Sequence, residues 1–130
     1  MANEPVWLTA DLLIEFNELE VSATGEPHVL RDLGGLESAI ARPVNHWHYG
    51  EADVVALAVA LLLGIARNHP FLQGNKRTAF AAADYSLYLN GYDLTVEDSE
   101  ALADVIVDAI RGDVSEHYLI ELFGQSIESV

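Results

Sequence analysis

Apolar positions recur along most of this chain at helical rather than strand spacing. Leu12, Leu13, Phe16 and Leu19 follow the interval of an amphipathic helix, and Thr9 stands where its hydroxyl caps the first turn. Asp11 is favourable near that positive helix end. Residues 20–34 (EVSATGEPHVLRDLG) mix Gly, Pro and polar residues and read as a loop. A short helix from Gly35 or Leu36 to Ala41 follows, stopped by Pro43, and Asn45 to Gly50 (NHWHYG) reads as another loop. Glu51 to Arg67 is apolar almost all round, as a central buried helix is.

Pro70 disfavours helical geometry at His69, so this helix ends by Asn68. The next long helix begins near Asn75 and runs to Asn90, with Gly91 just beyond its end. Ala79, Ala81, Ala82 and Ala83 let a neighbour approach it closely, and Tyr85 and Tyr88 are assigned to the core. Thr95 to Asp98 (TVED) resembles a capping box opening a helix that ends before Gly112, and a last helix covers Ser115 to Phe123. No segment alternates with period two over a strand's length, and neither an internal repeat nor a dividing linker occurs. The expectation is an all-α fold, a compact helical bundle forming a single domain over residues 1–130.

Composition narrows the class. With 130 residues, 51% hydrophobic and 21% charged, the chain has enough material for one core. The absence of cysteine excludes disulfides, thiolate metal sites and thiol nucleophiles. The N-terminal residues lack a basic segment, and the apolar run from Val54 to Ala66 is interrupted by Gly64 and too short to span a bilayer. A soluble cytoplasmic protein with no membrane partner is expected. A net charge of −15 argues against direct nucleic-acid binding. Glu97, Asp98, Glu100, Asp104 and Asp108 read as a solvated face.

The six cations are Arg31, Arg42, Arg67, Lys76, Arg77 and Arg111; three fall within residues 67–77. Salt screens the acidic body beyond a Debye length of about 8 Å, so a local cation cluster can still hold phosphate. The plain alternative is that each cation pairs with a nearby acid. His46 and His48 flank Trp47, but no third ligand stands at a metal-binding spacing. Trp47 and Tyr49 are read as half-buried packing, and His28 and His117 carry no motif.

The chemistry concentrates in residues 69–80, HPFLQGNKRTAF. His69 follows a helix C-terminus, and the next helix presents unpaired N–H groups and a positive dipole end. Gly74 lets the backbone turn sharply and approach a ligand. Asn75 can cap that helix or donate its amide to an anion. Lys76 adds a point charge and Arg77 a bidentate fork, both suited to phosphate. GNKRT lacks the spacing of a P-loop, and no strand precedes it. An imidazole facing such a cradle suits base-assisted transfer of a phosphate-bearing group to a hydroxyl.

His69 to Ala79 (HPFLQGNKRTA) resembles the signature of the Fic/Doc family, HxFx(D/E)(A/G)N(G/K)R. Lysine after the asparagine points to the Doc, death-on-curing, branch. Arg31 to Ala39 (RDLGGLESA) is similar to the family's R-x-x-G-x-L-E-S-A stretch; Leu8-Thr9 and Asn90-Gly91-Tyr92 extend the likeness over most of the chain. The resemblance implies a small helical bundle with the motif between two central helices. It implies a toxin of a toxin–antitoxin system that transfers phosphate from ATP, with Mg²⁺, to a hydroxyl of a translation protein of the elongation factor Tu kind. It also implies a small antitoxin partner. His69 would be the base, Gly74, Asn75, Lys76 and Arg77 the phosphate cradle, and Phe71 the loop anchor. Arg31, Glu37 and Ser38 would flank the substrate groove. Gln73 departs from the pattern, because it stands where the family has the metal-binding acid. An amide keeps the geometry but lacks the charge that Mg²⁺ prefers. The implied transferase would then be attenuated, and the other readings are a member that only binds its partner and a Fic-type AMP transferase.

Overall fold

A computed structural model describes residues 3–97 and 99–130. Six helices follow one another: α1 (Ala10–Thr24), α2 (Leu33–His48), α3 (Val54–Asn68), α4 (Asn75–Leu89), α5 (Glu100–Arg111) and α6 (Glu116–Gly124). Two short strands, β1 (Tyr92–Leu94) and β2 (Ile127–Ser129), pair antiparallel with Asp93 opposite Glu128. The class is all-α, as the spacing of apolar residues predicts.

α3 is the axis of the bundle. Val55 through Ala66 are all buried, and α2, α4, α5 and α6 pack around them. Each Leu or Val removed from water there contributes on the order of 1.5–3 kcal/mol. Gly64 permits the closest crossing: a Cβ on it would come within 3.1 Å of the Ala39 Cα in α2. On the other flank Ala79, Ala82 and Ala83 of α4 are fully buried, so small side chains set that approach too. Phe123 of α6 meets Phe80 of α4 edge-on at 6.2 Å and closes the core.

Several boundaries differ from the sequence expectations. α1 does not end near Glu20 but continues to Thr24, because Val21 is buried on its inner face. It stops at Gly25, whose φ of 74° lets the Glu26 N–H donate back to the Val21 carbonyl at 3.0 Å. Leu19 falls off that face and is 69% exposed. α2 runs from Leu33 through Pro43 to His48, so residues 45–48 are helical rather than loop. Pro43 is itself buried beside the close Ala39–Gly64 crossing, and Arg42 donates to the Ala60 carbonyl of α3 at 2.9 Å and pairs with Glu116 at 2.7 Å. These tertiary contacts outweigh the roughly 3 kcal/mol that proline costs inside a helix.

Tyr85 and Tyr88 are not core residues. They stack on one another at 6.3 Å and are 37% and 54% exposed. Tyr49 is 93% exposed, whereas Trp47 is half-buried and meets Trp7 edge-on. The expected capping box at Thr95 to Asp98 is replaced by Ser99, whose hydroxyl accepts from the Leu102 N–H; Asp98 lies outside the described residues. Thr95 instead donates to the Ser126 carbonyl, extending the small β-ribbon that the sequence reading lacked.

Candidate active site

The motif occupies the turn between α3 and α4. α3 closes at His69, which holds φ 47° and ψ 55° while its N–H donates to the Ile65 carbonyl at 3.2 Å. It is the one non-glycine residue with positive φ among those described, a conformation histidine tolerates better than most residues. His69 is exposed at this helix end.

The turn is held from three sides. Pro70 is buried, and its carbonyl accepts from the N–H groups of Arg31 and Asp32 at 2.8 and 3.0 Å. Leu72 donates to the Val29 carbonyl at 2.9 Å, so residues 29–32 lie alongside 70–72 like a short strand. Phe71 is fully buried. Asn75 does not cap its own helix: its side chain accepts from the Phe71 N–H at 3.0 Å and donates to the Phe71 carbonyl at 2.9 Å. From below, the fully buried Asn17 of α1 donates to the Gln73 carbonyl at 2.8 Å and to the Thr78 hydroxyl at 3.1 Å.

α4 therefore begins bare. Gly74, at φ 75°, precedes it with no side-chain cap. Among the described residues, the N–H groups of Gly74, Asn75, Lys76 and Arg77 have no protein acceptor. They border an open cleft of about 580 Å³ lined by His69, Gln73, Gly74, Asn75, Lys76 and Arg77, together with Glu26 and Arg111. An imidazole, a bare helix N-terminus and the three cations Lys76, Arg77 and Arg111 lining one cleft make an anion-binding arrangement.

The predicted cations differ in freedom. Lys76 is exposed and has no ion-pair partner among the described residues. Arg77 is ion-paired with Glu26, donates to the Thr24 hydroxyl at 3.1 Å and reaches the Glu20 carbonyl at 3.3 Å. It lines the cleft, yet its fork ties α4 to the end of α1. The Glu26 carboxyl is held below its usual range, first by the Thr24 hydroxyl and then by Arg77. Gln73 is exposed and offers only a neutral oxygen. Glu26, the only carboxylate among the described residues lining this cleft, is already paired, so the donor set does not fit a hard divalent cation.

Arg31, Glu37 and Ser38 do not converge on this cleft. Ser38 lines a separate one with Arg42, His46 and Arg67, and Glu37 borders a shallow depression between Ala10 and Val44. Arg31 is exposed beside the motif, through its backbone bond to Pro70. Arg111, Glu26 and Asn17 were not singled out by sequence reasoning for this site. Arg111 lies far along the chain, and Asn17 carries no motif; a polar residue on the otherwise apolar face of α1 was the available signal.

Comparison with known proteins places this geometry. Residues 7–87 match the model of the Fic/DOC family, well over half of the chain. The chain belongs to that family, and its curated relatives lie on the Doc branch. It is 33% identical over 109 residues to Protein kinase doc of Escherichia phage P1, covering 83% of this chain and 85% of that protein. It is 45% identical over 71 residues to Toxin Doc of Mycolicibacterium smegmatis, covering 52% of this chain. The match spans about half of that second protein, 54% of its length. Among the described residues, no helix is long and apolar enough to cross a membrane.

Proposed function

We propose that this chain is a Doc-like toxin of a toxin–antitoxin system, acting in the cytoplasm. It transfers the terminal phosphoryl group of ATP to a hydroxyl of a translation protein of the elongation factor Tu kind. The observation that carries the reading is the cleft itself, which His69, the bare start of α4, Lys76 and Arg111 line together. His69 takes the proton of the acceptor hydroxyl as its oxygen bonds to phosphorus. The bond from that phosphorus to the leaving oxygen breaks, and ADP departs with the electron pair. The free N–H groups at Gly74 to Arg77, with Lys76, offset the phosphate charge. No step runs through Mg²⁺, since the described residues of the cleft include no free carboxylate to hold it. A small antitoxin would be the natural partner of such a toxin, and one relative bears the name Toxin Doc.

A second reading is a family member that binds its partner without transfer. Neutral Gln73 and the engagement of Arg77 with Glu26 favour it. Incubating the protein with a cell extract and ATP labelled at the γ or the α position, in parallel, separates the cases. Label from γ alone on a protein band supports phosphoryl transfer, and label from α would instead assign AMP transfer. Label from neither, with ATP bound, would leave the binding reading.

A further inference from the structure

Asn17 and Thr78 are the two fully buried polar side chains among the described residues, and the catalytic reading uses neither; Asn17 joins them to the loop. It is fully enclosed in α1, yet all three of its hydrogen bonds lead toward the motif or the segment beside it. Its Nδ2 donates to the Gln73 carbonyl and to Thr78, and its Oδ1 lies 2.9 Å from the Nδ1 of His28. These contacts fix the sense of the amide. Turned over, its oxygen would face the Gln73 carbonyl oxygen, acceptor against acceptor. Asn17 therefore presents N–H to the loop, and His28 must donate its Nδ1–H to the remaining oxygen.

The consequence reaches the cleft through one peptide unit. No peptide bond among the described residues is cis. In a trans unit the carbonyl and the following N–H point opposite ways. Drawing the Gln73 carbonyl inward thus turns the Gly74 N–H outward, to the side where the other unpaired N–H groups begin. The fit around Gly74 is tight: a Cβ there would come within 3.0 Å of Val21 Cγ1 and 3.3 Å of Asn17 Nδ2. Thr78, also buried, ties the first turn of α4 to the same amide, and its N–H donates to the Gly74 carbonyl at 2.9 Å.

We propose that Asn17 is the positioning residue of the phosphate cradle, and that the exposed His28 acts through it by keeping its amide in the orientation the loop requires. The assignment rests on the anion-binding reading of the cleft but concerns residues outside the motif. It makes His28 a structural donor, so an amide that places N–H where Nδ1–H stands should replace it.

The test compares wild type with Asn17→Leu, His28→Ala and His28→Asn. Calorimetry of ATP without added metal should show affinity reduced about 10-fold in Asn17→Leu and His28→Ala, with His28→Asn returning to within about threefold of wild type. Amide exchange at Phe71, Leu72 and Thr78 should quicken in the first two variants and recover in the third, while the melting temperature of His28→Ala stays near that of wild type. Should Asn17→Leu fail to fold, the surface pair at His28 decides alone. Unchanged loop exchange in His28→Ala, or a His28→Asn variant no better than His28→Ala, overturns the assignment. A wild type that binds no ATP, with loop exchange still responding as described, would sink the transferase reading and leave the positioning role standing.

Discussion

Five of the six helices begin on a side chain that accepts a hydrogen bond from their first turn: Thr9, Asp32, Asp53, Ser99 and Ser115. α4 begins on Gly74, with none. The sequence had a capping residue to hand at the next position, since Asn75 has the right side chain. That amide is turned back to hold both backbone groups of Phe71. At the capped ends, side chain and backbone satisfy one another and the helix is finished as structure. At α4 the side chain that would finish it shapes the loop instead, and the N–H groups stay available on the cleft wall. The contrast locates the place where stability is given up for binding.

The largest expected effect tests what faces that bare end. His69→Ala should lower label transfer by roughly 100-fold or more, the usual contribution of a general base, and abolish growth arrest. Its stability should stay within about 1 kcal/mol of wild type, because the ring is exposed. Equal transfer by the variant would remove the base assignment and leave the cleft as a binding site only.

Next come the cations beside it. Lys76→Ala should weaken ATP binding about 10-fold, or 1.4 kcal/mol, without a change in melting temperature. Arg77→Ala should do the reverse, losing about 1 kcal/mol of stability as the link to Glu26, Thr24 and Glu20 breaks, with a smaller effect on ATP. Calorimetry and thermal melts of both variants separate the roles. If Arg77→Ala costs more ATP affinity than Lys76→Ala, the ion pair opens in the complex and both cations belong to the cradle. In a companion measurement, Gln73→Asp should make ATP binding tighten with added Mg²⁺ by up to about 10-fold, because it adds a free carboxylate to the cleft. No gain across a Mg²⁺ series would show that residue 73 does not face the metal-bearing side of the nucleotide.

A capped end supplies the control. Ser115→Ala should cost about 1 kcal/mol of stability, the usual loss of an N-cap, and leave ATP binding as it was. A change in ATP affinity from this distant end would mean that the two kinds of helix start are not separable.

The sequence was most legible where local chemistry and tertiary demand agree. α4 starts and stops within a residue of expectation because Gly74, Asn90 and Gly91 act on their own neighbours. The all-round apolar run of α3 likewise announced its burial. Legibility failed where a distant partner overrode a local rule. Pro43 should end α2, but the Ala39–Gly64 crossing and the reach of Arg42 to Ala60 hold the helix together beyond it. The β-ribbon joins residues as far apart in sequence as Tyr92 and Ser129 through three-residue strands, too short for alternation to register. At the site, the motif residues were named from sequence, but what each side chain bonds to was not. Arg77 looks free beside Lys76 in one dimension, and only the fold brings Glu26 to it.

The smallest effect concerns that clamp and depends on pH. Because the Thr24 hydroxyl and Arg77 hold the Glu26 carboxyl below its usual value of 4.5, the folded state releases the proton more readily than the unfolded one. The linked stabilisation is therefore fully present above pH 4.5 and is lost as pH falls through the lowered folded value. Glu26→Gln should melt slightly below wild type at neutral pH, and the gap should close on acidification below pH 4.5. The same variant removes a negative charge from the cleft wall and releases the Arg77 fork toward the unpaired N–H groups. ATP affinity should then rise by about two- to threefold even as stability falls. That opposition is the sharpest form of the contrast between the two kinds of helix end, for at a capped end stability and binding have nothing to exchange. A Glu26→Gln variant that loses stability and ATP affinity together would mean that the clamp holds the cradle in shape, and that Arg77 is no reserve cation.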